Sequence, residues 1–119
     1  MDEVLIPYVD QLPRVQHDAF RRKIAEQLAK DLYPWFNQEV PEIPDADWIV
    51  RTLLAGVEEL ISRQRSSLGQ ALYRIDISEK KISELMVLTG PNDRVRVLAE
   101  QILEREAKKV WMRMHYSPQ

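Results

Sequence analysis

The fold is decided by the stretch from residue 92 to residue 117, NDRVRVLAEQILEREAKKVWMRMHYS, which contains no glycine or proline. With Asn92 or Asp93 as its N-cap, the stretch predicts a helix over residues 93–116. Its apolar positions recur three and four residues apart: Val95, Leu98, Ala99, Ile102, Leu103, Ala107, Val110, Trp111 and Met114. Because this spacing places them along one helical face, the helix must bury that face against other elements.

A second helical pattern precedes it in the chain, over residues 13–33. Its apolar stripe recurs every four residues, at Phe20, Ile24, Leu28 and Leu32. Pro13 fits the first turn of a helix, where an amide donor is not needed. Pro34 ends the helix because proline disfavours helical geometry in the residue before it.

The central helix is predicted over residues 46–74, with Asp45 or Asp47 as its N-cap. Its first half is apolar nearly all round, which is typical of a helix in the middle of a domain. Gly56 costs up to ~1 kcal/mol relative to alanine inside a helix, so we expect it to let another helix approach closely. Between residues 66 and 78 a strand pattern competes with the helical one, and a helix to Arg74 is favoured.

The remaining segments are shorter. Ser78 resembles an N-cap in front of a helix over residues 78–88. Residues 1–12 read as an extended arm, since apolar side chains alternate there. The connector between residues 34 and 45 is too rich in proline for a helix. The sequence therefore predicts a single all-α domain over residues 1–119, a small bundle of about four helices with an extended N-terminal arm and a Pro-rich connector.

Composition narrows the functional classes. A chain of 119 residues with 45% hydrophobic and 30% charged residues has the make-up of one folded domain. The absence of cysteine removes disulfides, thiolate metal sites and cysteine nucleophiles. The acidic start, with an apolar run of only a few residues, predicts neither a secretory signal nor a membrane span, so we expect a cytoplasmic protein without membrane contact.

No motif predicts catalysis, so we expect no enzyme and no catalytic, cofactor-binding or metal site. The pair His17-Asp18 resembles a metal-binding pair, but His115 is the only other histidine that could join it. The serines lack a nucleophile-elbow context, and the three glycines are too scattered for a phosphate loop. A small helical enzyme remains the second alternative, with a site assembled from residues distant in sequence, such as His17, Asp18 and Tyr73.

The strongest functional signal is an aromatic and methionine cluster at the end of the last helix. It contains Trp111, Met112, Arg113, Met114 and Tyr116. Such residue types are enriched at protein interfaces, although at helical spacing they are commonly core. The connector adds Trp35 and Phe36. These residues predict a protein–protein interaction or assembly module whose partner is another protein or a second copy of the chain, as a homo-oligomer.

Nucleic-acid binding is the first alternative function. The helix over residues 78–88, the turn that contains Gly90 and the following helix have the outline of a helix-turn-helix. Arg94 and Arg96 would then stand at the start of the recognition helix. The net charge of -2 and the length of the last helix favour this interpretation less than protein binding.

Overall fold

The all-α prediction is confirmed. A computed structural model describes residues 1–36, 39–63 and 67–116, and within these ranges every regular element is helical. The α-helices are α1 (Ile6–Val9), α2 (His17–Asp31), α3 (Ala46–Arg63), α4 (Leu68–Ile75), α5 (Glu79–Leu88) and α6 (Arg94–Tyr116). Short 3-10 turns stand at Asp2–Val4, Arg14–Gln16 and Pro91–Asp93.

The core lies where α6 packs against both α2 and α3. Apolar side chains that recur at helical spacing are fully buried there, as their periodicity predicts. From α2 these include Phe20, Ile24 and Leu28, from α3 Ile49, Leu53 and Leu60, and from α6 Leu98, Ile102 and Leu103. The long apolar face of α6 is therefore covered by two partners, so this helix organises the bundle.

Two predicted N-caps are present. The Asp45 carboxylate accepts a hydrogen bond of 2.8 Å from the amide of Trp48, at the start of α3. The Ser78 hydroxyl accepts one of 3.3 Å from the amide of Lys81, at the start of α5. Each bond satisfies an amide that has no partner within its helix, which explains why both helices begin where they do.

The N-terminal arm is not extended, and this part of the prediction is wrong. The amide of Val9 donates to the Leu5 carbonyl over 3.0 Å, which closes a helical turn. Leu5 and Leu12 are buried, whereas Ile6 is exposed. The buried positions therefore follow a helical spacing, and the alternation of apolar residues that suggested a strand has no structural counterpart.

The predicted helix over residues 46–74 is divided. α3 ends at Arg63 and α4 begins at Leu68, while residues 64–66 lie outside the described part of the chain. The choice of helix over strand is correct for α4, which ends where Asp76 adopts a left-handed conformation with φ of 70°. The close approach expected at Gly56 is real, but it comes from the connector and not from a helix: a Cβ there would lie 2.5 Å from the carbonyl oxygen of Trp35.

Candidate functional site

The predicted C-terminal interface is largely used inside the domain. The Trp111 ring lies 5.7 Å from the Tyr8 ring and 6.2 Å from the Phe20 ring, measured between centroids. It also stacks on His115 at 4.0 Å. Trp111 is half-buried and joins α6 to α1 and α2, so its main contacts are structural.

The rest of this cluster divides between packing and surface. Arg113 donates a hydrogen bond of 3.0 Å to the side chain of Gln27, and Met114 packs against the core. Met112 is exposed. The side chain of Tyr116 lies outside what the structure describes. Met112 is therefore the exposed apolar residue among the described members of the cluster.

The aromatic connector also differs from the prediction. Phe36 is only 1% exposed and meets the Trp48 ring edge-on at 5.8 Å, so it packs in the core. Trp35 is half-buried. The exposed aromatic side chain of this segment is Tyr33, whose carbonyl accepts a hydrogen bond of 3.1 Å from Arg74.

A buried polar cluster between α2 and α6 had not been expected. It consists of Gln27, Asp31, Glu106 and Lys109. Lys109 Nζ lies 2.8 Å from Asp31 Oδ2 and 3.5 Å from Glu106 Oε2, and it donates to the Ile75 carbonyl over 3.2 Å. This cluster therefore ties α2, α6 and the end of α4 together.

The two carboxyl groups of the cluster, those of Glu106 and Asp31, differ in protonation state. Burial, reinforced by the neighbouring Asp31 carboxylate, raises the pKa of Glu106 to about 9. Burial also acts to raise the pKa of Asp31, but hydrogen bonds from Glu106, Lys109 and Gln27 outweigh it and lower that pKa. At neutral pH Glu106 is thus protonated, while Asp31 carries the negative charge that faces Lys109. Glu106 is 0% exposed and Asp31 is 7% exposed, so both carboxyl groups lie within the packing between α2 and α6.

This arrangement predicts that the protein loses stability as the pH rises. The folded state retains the Glu106 proton up to about pH 9, whereas the unfolded chain releases it near the ordinary value of 4.5. Between these values the unfolded state binds fewer protons, so the free energy of unfolding falls with pH, by at most about 1.4 kcal/mol per pH unit. Asp31 has the opposite sign, but its effect lies below its ordinary pKa of 3.8.

Urea unfolding at several pH values between about 6 and 8 measures this slope. We expect Glu106→Gln to remove much of it, because the amide still donates to Asp31 but does not titrate. A slope that is the same in both proteins would show that Glu106 is not the buried acid.

Two neighbouring exposed apolar residues lie at the end of α5. Val87 and Leu88 are adjacent and are 82% and 85% exposed. They continue a run that begins with the half-buried residues Leu85 and Met86. We call these four residues the α5 patch. Exposed aliphatic residues occur singly on many surfaces, whereas two neighbouring large aliphatic side chains in one helical turn can form part of a binding site.

A small cavity lies beside the α5 patch and shares Met86 with it. Its volume is about 90 Å³. The lining comes from α3, α4, α5 and α6: Ile61, Leu68, Ile82, Met86, Arg94 and Leu98. We call it the α5 cavity. The buried Ile82 connects it to the core, so α5 has one inward side and one free apolar end.

The two arginines of the helix-turn-helix hypothesis differ in their surroundings. Arg96 pairs with Glu100 at 2.8 Å and with Asp93 at 3.7 Å. Arg94 is half-buried and lines the α5 cavity. Phosphate binding requires cations that are available to the nucleic acid. The carboxylates paired with Arg96 and the partial burial of Arg94 therefore do not favour the nucleic-acid alternative.

The residues considered for metal binding or catalysis make local contacts. A ring nitrogen of His17 lies 3.0 Å from the Leu12 carbonyl, and Asp18 pairs with Arg21 at 2.8 Å. Across residues 1–36, 39–63 and 67–116, no three histidine, aspartate or glutamate side chains are grouped to hold a metal ion. A shallow polar depression of about 470 Å³ contains both acidic and basic groups, among them Arg105, which donates to Asp76 over 2.6 Å.

The α5 patch and the α5 cavity are the best candidate site, because they combine exposed apolar side chains with a concave surface. None of the helices in the described part of the chain has the length and apolar content needed to cross a bilayer. Comparison with models of known protein families, with curated proteins and with solved structures finds no match to this chain.

Proposed function

We propose that this protein is an interaction or assembly module that binds another protein, or a second copy of itself, through the α5 patch. The observation that carries the proposal is the exposure of Val87 and Leu88, at 82% and 85%. Complete burial of one such side chain contributes about 1.5–3 kcal/mol. The pair thus offers a partner a gross gain of about 3–6 kcal/mol before the costs of association.

The position of α5 supports the proposal. Ile82 is the buried residue of this helix, and Met86 contributes to the cavity lining. The helix is therefore anchored by its inner side, while its C-terminal end is free for a partner. An amphipathic helix that presents apolar side chains from its last turns is a common element of protein recognition.

The role predicted from the sequence is kept, but we assign it to another surface. Trp111 and Phe36 make their contacts within the domain and contribute little area to a partner. Met112 and Tyr33 are exposed and extend the set of candidate contacts. The α5 patch is preferred because its two exposed residues, Val87 and Leu88, are neighbours on one helix, whereas Met112 and Tyr33 lie on separate elements.

Site-specific cross-linking tests the proposal. A photoreactive amino acid at position 88 should trap one defined partner, which mass spectrometry identifies as a second copy or another protein. The same amino acid at position 15 is the control, because Val15 is 88% exposed but stands in a separate 3-10 turn before α2. Equal yields of the same product at both positions would contradict a specific surface at α5.

The double variant Val87→Ser, Leu88→Ser should weaken binding of that partner about tenfold or more, which corresponds to about 1.4 kcal/mol. Its free energy of unfolding should change by less than about 0.5 kcal/mol, because both residues are exposed. Val15→Ser is the matched variant and should bind as the unaltered protein does. Titration by calorimetry measures the affinities, and undiminished binding by the double variant would refute the proposed surface.

A further inference from the structure

The α5 cavity joins an apolar lining to an unpaired polar group. Five of its lining side chains are aliphatic or methionine, and the sixth is Arg94. Arg94 Nε is buried and has no hydrogen-bond partner in the described structure. By contrast, Arg96, two residues further along α6, is paired with two carboxylates.

An arginine without a carboxylate partner is available to an anionic ligand, and hydrogen bonds to a charged acceptor are the strong ones. The guanidinium group carries a positive charge and offers a geometry that matches a carboxylate. A ligand that places a carboxylate against the accessible part of Arg94 therefore supplies the complementary charge that this side chain lacks among the described residues.

The size of the cavity limits the apolar part of the ligand. Its volume of about 90 Å³ is smaller than the roughly 150 Å³ of a cavity that holds benzene. One aliphatic side chain of leucine or isoleucine size fits this space better than an aromatic ring. The ligand must carry this group close to its carboxylate, since Arg94 and the apolar residues line the same small cavity.

We infer that the α5 cavity receives the C-terminal residue of a partner protein, an aliphatic residue whose α-carboxylate accepts hydrogen bonds from Arg94. A chain terminus carries the side chain and the carboxylate on one residue. An internal acidic residue next to an aliphatic one points its side chain in a different direction, in a strand or in a helix. This inference rests on the proposed function and names the part of the partner that is bound.

The α5 patch favours a peptide over a free small acid. Val87 and Leu88 follow Met86, which lines the cavity, in the last turn of α5, and both are exposed. A free acid that fills the cavity leaves both residues exposed. A peptide that enters by its terminus can cover them with its preceding residues, which adds buried apolar area.

Nuclear magnetic resonance of the full chain tests the inference with a defined probe. The probe is an acetylated tetrapeptide that ends in leucine with a free carboxylate, and its control is the same peptide with a terminal amide. We expect the free acid to shift the Nε–Hε signal of Arg94. It should also bind at least about tenfold more tightly than the amide, because the amide has no charged acceptor to offer to Arg94.

Matched variants locate the binding. Arg94→Gln should weaken binding of the acid peptide about tenfold or more, whereas Arg96→Gln should leave it within about twofold. Both remove one positive charge from the start of α6, so the comparison separates the cavity from general electrostatics. Circular dichroism establishes that each variant is folded, and the comparison of acid and amide peptides needs no variant at all.

Three outcomes overturn the inference. The acid and amide peptides bind equally; or Arg94→Gln and Arg96→Gln have equal effects; or 4-methylpentanoate, a free acid of the same chemistry, binds as tightly as the peptide. Cross-linking from position 88 distinguishes this failure from failure of the proposed function. If that cross-link persists in Arg94→Gln, the α5 patch is a binding surface whose partner does not enter by its terminus.

Discussion

Replacement of Lys109 by alanine is expected to lower the free energy of unfolding by about 3–5 kcal/mol, the range for breaking a buried ion pair from one side. Lys109 Nζ lies 2.8 Å from the buried Asp31 carboxylate. The variant leaves that carboxylate with Gln27 and Glu106 as donors but without a cation. Because small domains are stable by only about 5–15 kcal/mol, this single change should shift the urea midpoint strongly.

Lys108→Ala is the matched control, because Lys108 neighbours Lys109 on the same helix and is exposed. It should change stability by less than about 0.5 kcal/mol. A triple variant that replaces Asp31, Glu106 and Lys109 with apolar residues of similar volume should recover much of the loss, because no buried charge then lacks a partner. If Lys109→Ala unfolds at the same urea concentration as Lys108→Ala, the cluster does not hold the helices together.

The sequence predicts the helices well where the signals are local. Asp45 and Ser78 cap α3 and α5 because a cap depends on a few neighbouring residues. The periodic stripe of α2 and α6 is likewise a local property. The prediction for the N-terminal arm is wrong because so short a segment fits both an alternating pattern of apolar residues and a helical one. Burial of Leu5 decides between them, and burial depends on the rest of the fold.

The candidate site was harder to predict, because exposure depends on which neighbours cover a side chain. Trp111 resembled an interface residue, but its partners Tyr8 and Phe20 are distant in sequence. Val87 and Leu88 lie at the end of the helix predicted over residues 78–88, and their exposure becomes visible only once the other elements are placed. The sequence therefore indicated a surplus of apolar side chains but not its position.

The position of Glu106 in the sequence indicates the buried cluster. Glu106 lies between Leu103 and Val110 on the inward face of α6, at the spacing of core residues. A charged residue at such a position requires a buried partner, since burial of a lone charge is prohibitive. The partner Asp31 is itself acidic, so a search for opposite charges alone would not have paired the two.

Leu53→Ala is expected to destabilise the protein by about 2–5 kcal/mol, the usual cost of a large cavity in a packed core. Leu53 is 0% exposed on α3, the helix that packs against α6 at the centre of the bundle. Leu88→Ala makes the same chemical change at a position that is 85% exposed, so it should alter stability by less than about 0.5 kcal/mol. Urea unfolding of both variants measures the difference. Similar stabilities would contradict the central place of α3, because only burial separates these two leucines.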